Sequence, residues 1–558
     1  MHILIFLAAA GIAGFLLIFS TLSPKLTSYA QQACIPTDSP NYAIHSFIFA
    51  NYQSDIKDYL FDKAAATGKK TIRFDFALAT IEPNNDNADP NTSGTWNWAL
   101  MDDMVTRAKA KGLTVVGTLG YSASWIAAPP ASPIPPGFTY DPDKAPIDRS
   151  MITNGEYAEY VRETVNHYKG ALEVSYWEIW NEPNIRRLYA DDVYPTATLY
   201  VGSPYTYSDF ADVLSVSYDT IKAADSADQV VFPGVIFDTG AQKLWAQNLA
   251  NHPSAQNKYD IGNVHIRGSI SDIQNSISQA VGGFPGKDVW VTEHDYTADW
   301  EWQQDPFKGT DIASGEQKQA EYYEQSLPVL IAGGADKIFV GLRDYTPNED
   351  PCQPGSTTVH KSPFCWAGLV TLNTLDPPAN YDRPSMCVFQ NAGSIQAAKR
   401  VFVTNATYNG KLGGVSQMNP KCQTAANNAG LGGTWKTWLS SSTFSPANQS
   451  DGDSWTQHSG PYLRIDGVKV ADNWTDLIDG SLDNPINVTE GGVPKSSGYV
   501  WTNTTTSGGI YSTSSHCSNW NSKSGQARRG DLSSTSSTWT VHSNQNCSST
   551  ARLYCFEQ

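Results

Sequence analysis

The sequence predicts an α/β protein that consists of a (β/α)8 barrel followed by a smaller second domain. Eight short segments rich in β-branched and aromatic residues alternate with longer amphipathic segments over about 350 residues, a pattern typical of such a barrel. Polar side chains stand at the C-terminal ends of most of these segments, where barrel proteins carry their sites. Near residue 396 the composition shifts to Gly, Ser, Thr, Asn and Trp, which predicts the second domain.

The eight predicted strands are the segments 42–48, 70–76, 113–119, 173–180, 229–236, 262–266, 288–293 and 337–342. Helical patterns separate them, as in WALMDDMVTRAKAKG, where one face carries Leu100, Met101, Met104, Val105 and Ala108. A doubly wound open sheet is the alternative. The count of eight strands disfavours it, and so does the absence of a Gly-rich phosphate loop after the first strand.

The first 30 residues are typical of a targeting segment. An uninterrupted apolar run covers residues 3–19, and Ser28 and Ala30 fit the small-x-small rule for signal cleavage. No Lys or Arg precedes the run, and its length approaches the lower limit for a membrane span, so a retained N-terminal anchor is the alternative. Both interpretations place the rest of the chain outside the cytoplasm.

The composition of the chain argues against some classes of binding partner and for others. The formal net charge of −17 argues against nucleic acid and anionic membranes, because phosphate binding needs clustered Lys and Arg. The aromatic content of 11% suits a Trp-rich core and also the stacking of sugar rings on indole. The 8 cysteines lack zinc-ligand spacing and therefore predict disulfides in an oxidising compartment. We expect no metal and no other cofactor.

Two glutamates stand at predicted strand ends. Glu182 follows the fourth strand and Glu293 ends the seventh. Hydrolysis of a glycosidic bond with retention requires two carboxyl groups about 5–5.5 Å apart, one acid and one nucleophile. The alternative for each glutamate is structural, with Glu182 capping a turn and Glu293 pairing with a barrel arginine. The other conspicuous residues at this rim are Arg73, Asp75, Tyr121, Trp125, Asn181, His265, Arg343 and Asp344.

The acid and the nucleophile need different surroundings. An apolar setting raises the pKa of an acid, and Trp177 and Trp180 are expected to supply it for Glu182. A guanidinium such as that of Arg73 keeps a nucleophile at Glu293 ionised. Candidate platforms for sugar rings are Trp125, Trp300 and Trp302, with packing into loop cores as the alternative.

The stretch WEIWNEPN, residues 177–184, resembles the acid/base motif of the retaining glycoside hydrolases of clan A, and most closely that of family 39. WVTE, residues 290–293, resembles the nucleophile motif of the same clan. The resemblance covers residues 42–395 and includes RFDFALATIEP and the segment that follows it. It implies a TIM barrel over residues 34–396 and a double-displacement hydrolase that acts on a β-linked polysaccharide.

Carried onto this chain, the resemblance assigns Glu182 as the acid/base and Glu293 as the nucleophile. In the clan, a tyrosine near the end of strand six contacts the nucleophile, whereas this chain has Ile266 and Arg267 there. Tyr296 is the candidate substitute. The expected substrate-binding residues are Asn181, which addresses the sugar 2-hydroxyl, with Arg73, His265, Tyr121, Trp125 and Tyr296.

Two disulfides are expected in the barrel part of the chain. Cys352 and Cys365 bracket a long loop after the eighth strand, so a Cys352–Cys365 bond would staple that loop. A Cys34–Cys387 bond would join the two ends of the barrel, because its first and eighth strands are neighbours.

From about Lys399 to Gln558 the chain resembles a bacterial secreted domain of the C-type-lectin-like, endostatin-like class. The resemblance lies in KRVFVTNATYNGKLGG, KCQTAANNAGLGGTWKTWLS, YLRIDGVKVADNW and ARLYCFEQ. It implies a smaller α+β domain over residues 397–558, with disulfides Cys422–Cys555 and Cys517–Cys547. A module that binds a cell-surface or matrix ligand is expected, with a sugar-binding lectin as the alternative.

Taken together, the sequence predicts a secreted or cell-surface retaining glycosidase that acts on an oligo- or polysaccharide. The alternative is a non-catalytic carbohydrate-binding protein or adhesin that keeps the barrel as a scaffold. The presence of Glu182, Glu293, Asn181 and Arg73 together favours the enzyme. The sequence does not indicate the sugar, its linkage, or whether cleavage is endo or exo.

Overall fold

Eight parallel strands form a closed ring in the first part of the chain. They are β1 Tyr42–His45, β2 Thr71–Ala77, β3 Thr114–Gly120, β4 Tyr176–Ile179, β5 Gln229–Val231, β6 Gly262–His265, β7 Val289–Glu293 and β8 Lys337–Gly341. β8 pairs with β1, and single bridges between β5 and β6 at Val231–Ile261 and beyond them at Ile236–His265 close the ring. The prediction of a (β/α)8 barrel is confirmed, and the open-sheet alternative is wrong because the ring has no edge.

This computed structural model describes residues 34, 36–46, 48–84, 96–129, 142, 145–184, 206–344, 366–371, 381–392, 399–448 and 455–558, with three short strands at 139–140, 188–189 and 199–200. The predicted targeting segment 1–30 and the expected Cys352–Cys365 pair lie outside these residues.

The helices of the barrel follow its strands in the order that the amphipathic patterns predict. They are α1 Ser54–Ala66, α2 Leu78–Ile81, α3 Ala99–Ala110, α4 Arg149–Thr153, α5 Glu156–His167, α6 Tyr207–Ala224, α7 Gly240–Ala250, α8 Ile270–Gly283, α9 Ile312–Ala332 and α10 Pro384–Asn391. In α3 the predicted face is buried at Met101, Met104, Val105 and Ala108, whereas Leu100 is only half-buried.

The barrel interior has an apolar layer with a polar layer above it. The apolar layer consists of Ala43, Val116, Val231, Ile261, Trp290 and Phe339. Because strand side chains alternate, the inward positions two residues further along β1, β3, β4 and β7 form the next layer. These positions hold buried polar side chains, His45, Thr118, Glu178 and Thr292. Polar groups therefore lie under the C-terminal mouth of the barrel.

The second domain has a core of its own that includes Trp438, Trp455 and Trp539. Its elements are β9 Lys399–Val403, β10 Tyr408–Asn409, α11 Met418–Asn428, β11 Trp435–Thr437, β12 Tyr462–Arg464, β13 Lys469–Ala471, α12 Trp474–Leu477, β14 Tyr499–Trp501, α13 Cys517–Trp520, β15 Gln526–Asp531, β16 Ser543–Asn546, β17 Thr550–Ala551 and β18 Tyr554–Glu557. The largest sheet has the order β11-β18-β9-β12-β13, so the first and last strands of the domain are antiparallel neighbours.

Three disulfides are present among the described residues. They join Cys34 to Cys387, Cys422 to Cys555 and Cys517 to Cys547, the pairs expected above. Such bonds are compatible with an oxidising compartment. In the described part of the chain, no helix has both the length and the apolar character needed to cross a membrane.

Candidate active site

Glu182 and Glu293 meet at the mouth of the barrel. Glu182 lies just after β4, and Glu293 is the last residue of β7. A carboxylate oxygen of each lies within 4.8 Å of the other and of a ring nitrogen of His265. Both side chains are largely buried, with exposures of 11% for Glu182 and 7% for Glu293. The two predicted carboxylates therefore belong to one site.

The backbone around this site is strained. In the described part of the barrel, the non-glycine residues with positive φ are Tyr121 at 60°, Trp180 at 71° and Glu182 at 51°. Each such residue costs about 1–3 kcal/mol and persists only where the surrounding structure holds it. The amide of Glu182 donates to the carbonyl of Gly234 over 2.6 Å, which ties the end of β4 to the segment after β5. Strain of this kind concentrates at functional sites.

Glu293 is held by two arginines. Its Oε1 lies 3.1 Å from Nη1 of Arg73, and its Oε2 lies 2.6 Å from Nη2 of Arg267. Burial by itself raises the pKa of this carboxyl group, but the positive groups around it hold the pKa well below its usual range. Arg267 and Arg73 are two of those groups. Glu293 is therefore an ionised carboxylate at neutral pH.

His45 is neutral in this arrangement. Nη1 of Arg73 donates to Nε2 of His45 over 2.9 Å, and since a guanidinium only donates, Nε2 carries no proton. The single ring proton is on Nδ1, which faces Oε1 of Glu293 at 3.7 Å. Burial lowers the pKa of His45 well below its usual range, in agreement with the neutral ring. The permanent positive charges beside Glu293 are thus those of Arg73 and Arg267.

Arg73 connects the site to the barrel interior. Its Nη2 donates to Oδ1 of Asn181 over 2.9 Å, and Nδ2 of Asn181 donates to the hydroxyl of Tyr121 over 3.2 Å. Nε and Nη2 also bind Glu178, at 2.5 Å and 3.0 Å. The structure therefore brings Arg73, Asn181 and Tyr121 together with the two glutamates.

Glu178 is a residue that the sequence analysis missed. It is fully buried inside the barrel, where Nδ2 of Asn263 and the hydroxyl of Thr292 donate to its Oε1 over 3.0 Å and 3.2 Å. Strand alternation in YWEIW could have found it, because an inward Glu178 requires outward neighbours on both sides.

The expectation that Trp177 supplies an apolar setting for Glu182 is wrong, because strand alternation turns its side chain away from the barrel interior. Its ring packs edge-on against Phe76 at a centroid distance of 5.3 Å, and its Nε1 donates to Asp228 over 2.9 Å. Trp177 therefore belongs to the packing on the outer face of β4. Trp180 is buried near Tyr121, with ring centroids 6.4 Å apart, and stays at the site.

His265 lies beneath both glutamates. Its Nδ1 is 3.0 Å from Oε1 of Glu182 and 3.5 Å from Oε2 of Glu293, and its Nε2 is 3.1 Å from the hydroxyl of Thr292. The ring is fully buried. His265 therefore links the end of β6 to the ends of β4 and β7, as a site residue on strand six should.

The expectation that Tyr296 replaces the missing tyrosine of strand six is wrong. Its ring stacks on Tyr322 of α9 at a centroid distance of 3.9 Å, and its hydroxyl accepts the amide of Gln304 over 3.2 Å. The loop after β7 thus carries Tyr296 into packing against a helix. The contact with Glu293 comes from Arg267 instead.

Two further carboxyl groups, also missed above, surround Arg267. Oδ2 of Asp295 lies 3.3 Å from its Nη2, and Oδ1 of Asp238 accepts its backbone amide over 3.3 Å. Burial raises the pKa of Asp295 to about 6, against the opposing effect of Arg267. Burial also raises the pKa of Asp238. Besides the ionised Glu293, Arg267 therefore contacts two carboxyl groups whose pKa is raised by burial.

The predicted aromatic platforms differ in exposure. Trp125 is half-buried against the barrel core and donates its Nε1 to the carbonyl of Glu82 over 2.9 Å, which favours the loop-core interpretation. Trp300 is half-buried, and Trp302 is 36% exposed. Among the three, Trp302 offers the most surface to a ligand.

Arg343 and Asp344 have structural partners. Both oxygens of Asp344 bind the guanidinium of Arg383, at 2.6 Å and 2.7 Å, in a fully buried pair. The guanidinium of Arg343 lies over the rings of Phe49 and Tyr52. Asp344 therefore ties the end of β8 to the residue before α10, and Arg343 packs against the segment after β1.

The contacts of Glu293 disfavour a bound metal ion at the barrel mouth. At the barrel mouth, two groups of described side chains have donor atoms close enough to hold a metal ion, His45 with Glu293 and Asp295, and Glu182 with His265 and Glu293. Both groups depend on Glu293, whose two oxygens already face guanidinium groups. A metal ion there would have to displace a guanidinium group from Glu293.

Comparison with known proteins adds similarities of fold. No protein-family profile and no curated protein matches the chain. Among solved structures, the chain is similar to a family 39 glycoside hydrolase from the gut symbiont Bacteroides cellulosilyticus WH2, at 15% identity over 64% of this chain and 65% of that one, with a TM-score of 0.42. It is similar to a glucosidase from Croceicoccus marinus, at 15% identity over 60% and 63%, with a TM-score of 0.40.

A third similar structure is a GH39 β-xylosidase from Caulobacter crescentus, at 18% identity over 66% of this chain and 74% of that one, with a TM-score of 0.43. The chain spans less than two thirds of the first two structures. At such identities and TM-scores the similarities carry no functional argument.

Proposed function

We propose that this chain is a retaining glycoside hydrolase in which Glu293 is the nucleophile and Glu182 the acid/base. One observation carries the proposal: carboxylate oxygens of the two residues lie within 4.8 Å of each other at the barrel mouth. Retention requires carboxyl groups about 5–5.5 Å apart, whereas inversion requires about 6.5–9.5 Å to admit a water molecule. The separation therefore favours direct attack on the sugar.

The contacts of the two glutamates support different roles for them. Arg73 and Arg267 contact Glu293 at 3.1 Å and 2.6 Å, so this carboxylate stays ionised and can attack. Glu182 is more exposed than Glu293, and Nη1 of Arg267 lies 3.6 Å from its Oε1. Glu182 is thus the carboxyl group better placed to carry a proton to a leaving group.

The reaction proceeds in two displacements. In the first, an oxygen of Glu293 bonds to C1 of the sugar, the glycosidic C1–O bond breaks, and Glu182 gives its proton to the departing oxygen. In the second, a water oxygen bonds to C1, Glu182 takes the proton of that water, and the bond from C1 to Glu293 breaks. Asn181, oriented by Arg73 and Tyr121, is placed to bind the sugar 2-hydroxyl.

The motif resemblance of WEIWNEPN and WVTE supports a β-linked oligo- or polysaccharide as the substrate. The apolar segment within residues 1–30 and the three disulfides support secretion or display at the cell surface. We assign the second domain an attachment role, supported by its sequence resemblance to secreted lectin-like domains.

The proposal is tested with a panel of 4-nitrophenyl and 2,4-dinitrophenyl β-glycosides and polysaccharides. Wild-type protein is expected to release product whose first-formed anomer, followed by NMR, retains the substrate configuration. Glu293→Gln is expected to be inactive. A 2-deoxy-2-fluoro glycosyl fluoride should add one sugar to the peptide that contains Glu293, as read by mass spectrometry.

Release of the inverted anomer would overturn retention. If wild type and Glu293→Gln bind glycans equally and neither hydrolyses any substrate, the non-catalytic carbohydrate-binding interpretation holds instead. A chain that ends at residue 396 tests the attachment role: it should keep hydrolysis of aryl glycosides and lose retention on insoluble polysaccharide or on cells.

A further inference from the structure

The segment after β1 lies at the barrel mouth beside the two proposed catalytic glutamates. β1 ends at His45, whose Nδ1 is 3.7 Å from Oε1 of Glu293. Four residues of fully extended chain span at most about 14 Å, so the Cα of Phe49 lies within about 14 Å of the Cα of His45. Side chains of this segment are therefore within reach of a glycan chain that is bound at the glutamates.

Phe49 and Tyr52 in this segment pack against a buried charge. Cζ of Arg343, which follows the neighbouring strand β8, lies 5.0 Å from the ring centroid of Phe49 and 5.1 Å from that of Tyr52. The two rings meet edge to face, with centroids 5.6 Å apart. Arg343 is fully buried, whereas Phe49 is 37% exposed. One side of the Phe49 ring therefore rests on the guanidinium, and its exposed surface faces away from it.

Backbone contacts hold these rings in place. The amide of Tyr52 donates to the carbonyl of Phe49 over 3.1 Å, so both rings stand on one turn. Nζ of Lys57, from α1, donates to the carbonyl of Ala50 over 3.2 Å. A ring that is already fixed loses little conformational entropy when a ligand binds to it. The turn is therefore preorganised for binding.

The exposure of Phe49 differs from that of other aromatic side chains in the described part of the chain. The others that are exposed each carry a polar group that water can bind: Tyr207, Trp302, Tyr381, Tyr499 and Tyr511. Phe49 has no such group. Single exposed apolar side chains are common on proteins, so exposure alone does not identify a site. A fixed and flat apolar ring beside two paired carboxylates, however, suits stacking against the C–H face of a sugar.

We propose that Phe49 and Tyr52 form a sugar-binding subsite for a further ring of the glycan, beyond the ring held at Glu182 and Glu293. The inference rests on the proposed function, because it takes the ligand to be the glycan that the glutamates cleave. It specifies the substrate as a chain of several linked sugars. Arg343 is a positioning residue in this subsite, since it contacts the two rings and not the sugar.

The structural alternative is that Phe49 and Tyr52 only shield Arg343 from water. The two interpretations differ in their dependence on the length of the substrate. Loss of a shield would lower stability and would affect every substrate by the same factor. Loss of a subsite would affect only those substrates that are long enough to reach it.

The test measures kcat/KM on an aryl monosaccharide glycoside and on oligosaccharides of the same sugar, from the disaccharide upward. Wild-type kcat/KM is expected to rise with chain length. Phe49→Ala should lose roughly 3- to 10-fold on the longer chains and little on the aryl glycoside. Phe49→Tyr keeps a flat ring and should stay near wild type. Phe49→Leu covers Arg343 without a flat ring, so it should resemble Phe49→Ala, and it replaces that variant if Phe49→Ala does not fold.

Tyr499→Ala is the matched control. Tyr499 lies on β14 of the second domain, is 39% exposed, and has Cζ of Arg529 3.5 Å from its ring centroid. This variant therefore also removes an exposed ring from an arginine, but not from the segment after β1. Its kcat/KM on soluble oligosaccharides should equal that of wild type at every length.

Binding is measured separately by isothermal titration calorimetry with the same oligosaccharides in the Glu293→Gln background. Addition of Phe49→Ala should weaken the binding of longer chains by a factor similar to the kinetic loss. Equal effects at every length, or no effect at any length, would overturn the subsite and leave the proposed function intact. If wild type hydrolyses no substrate but binds longer chains through Phe49, the proposed function fails and the subsite stands. Absence of both hydrolysis and binding would overturn both.

Discussion

Arg73 and Glu178 form a two-point ion pair inside the barrel, with Nε 2.5 Å from Oε2 and Nη2 3.0 Å from Oε1. Both side chains are excluded from solvent, at 1% and 0% exposure. The pair leaves Nη1 directed at Glu293 and lets Nη2 also reach Asn181. The geometry of the site at the barrel mouth is therefore set by a carboxylate that lies beneath it.

Glu178→Gln should destabilise the protein and impair it as an enzyme. Removal of one charge from a buried pair costs about 3–5 kcal/mol when the other charge loses its only partner. Arg73 keeps Glu293 at 3.1 Å, so we expect a loss at or below the lower end of this range. Urea denaturation measures the loss of unfolding free energy. The freed guanidinium of Arg73 would also turn toward Glu293, so kcat/KM on aryl glycosides should fall in the protein that remains folded.

Asp344→Asn is the matched control for this change. Asp344 and Arg383 form a second buried two-point pair, at 2.6 Å and 2.7 Å, and neither contacts the glutamates through it. Its loss should cost similar stability with a far smaller effect on kcat/KM. Equal kinetic losses in the two variants would contradict a specific role for Glu178.

Glu182→Ala should discriminate among leaving groups. A 2,4-dinitrophenolate departs without protonation, so the first displacement should survive the loss of the acid. Substrates with poorly departing alcohols should lose almost all turnover. The measurement is kcat/KM across a series of aryl and alkyl glycosides, compared with wild type. A uniform loss across the series would argue that Glu182 is not the acid.

Gly234→Ala should disturb the site from the end of β5. A Cβ at this position would lie 2.4 Å from both Oε1 of Glu178 and Nε2 of His265, so one of these groups must move. Overpacking of this kind costs about 1–3 kcal/mol. Activity should fall more than stability, because both displaced groups support the glutamates.

Gly240→Ala, at the start of α7, is the control for this substitution, since no atom lies within 4 Å of its added Cβ. It should leave both activity and stability near wild type. Activity measured per folded molecule, with folding followed by circular dichroism, separates the two variants. If Gly234→Ala were as active as Gly240→Ala, close packing under the glutamates would not matter.

His294 should make the protein acid-sensitive. Its Nδ1 donates to the carbonyl of Ile266 over 2.9 Å, and its Nε2 accepts from the hydroxyl of Ser326 over 2.8 Å. Burial lowers the pKa of His294 to about 4 from 6.5. The unfolded chain therefore takes up a proton first as pH falls, and stability is lost progressively from about pH 6.5 down to about pH 4.

The loss attributable to His294 is at most roughly 3 kcal/mol. Unfolding free energies at pH 7 and pH 4.5 measure it. His294→Asn is expected to be less stable at pH 7 but to lose less stability between these two values. Equal losses in the variant and wild type would show that another group causes the acid sensitivity.

The local sequence pattern was sufficient to predict where the barrel strands lie and that Glu182 and Glu293 stand at strand ends. Strand positions follow from alternation and β-propensity, which depend on residues near each other in the chain. Glu182 and Glu293 stand at the ends of such strands, and the closing of any parallel barrel brings strand ends to one mouth. The sequence therefore determined the barrel and the presence of two carboxylates at its rim.

The sequence also placed Arg73, Asn181, Tyr121 and His265 near them, but only the tertiary structure decided the further contacts. Glu178 binds Arg73, and Arg267 rather than Tyr296 binds Glu293. These contacts join different strands, and they depend on the register and stagger with which the ring closes. A shift of one residue in register turns every side chain of a strand to its other face, so no local pattern encodes these pairings. The ionisation of Glu293 is therefore a property of the closed barrel.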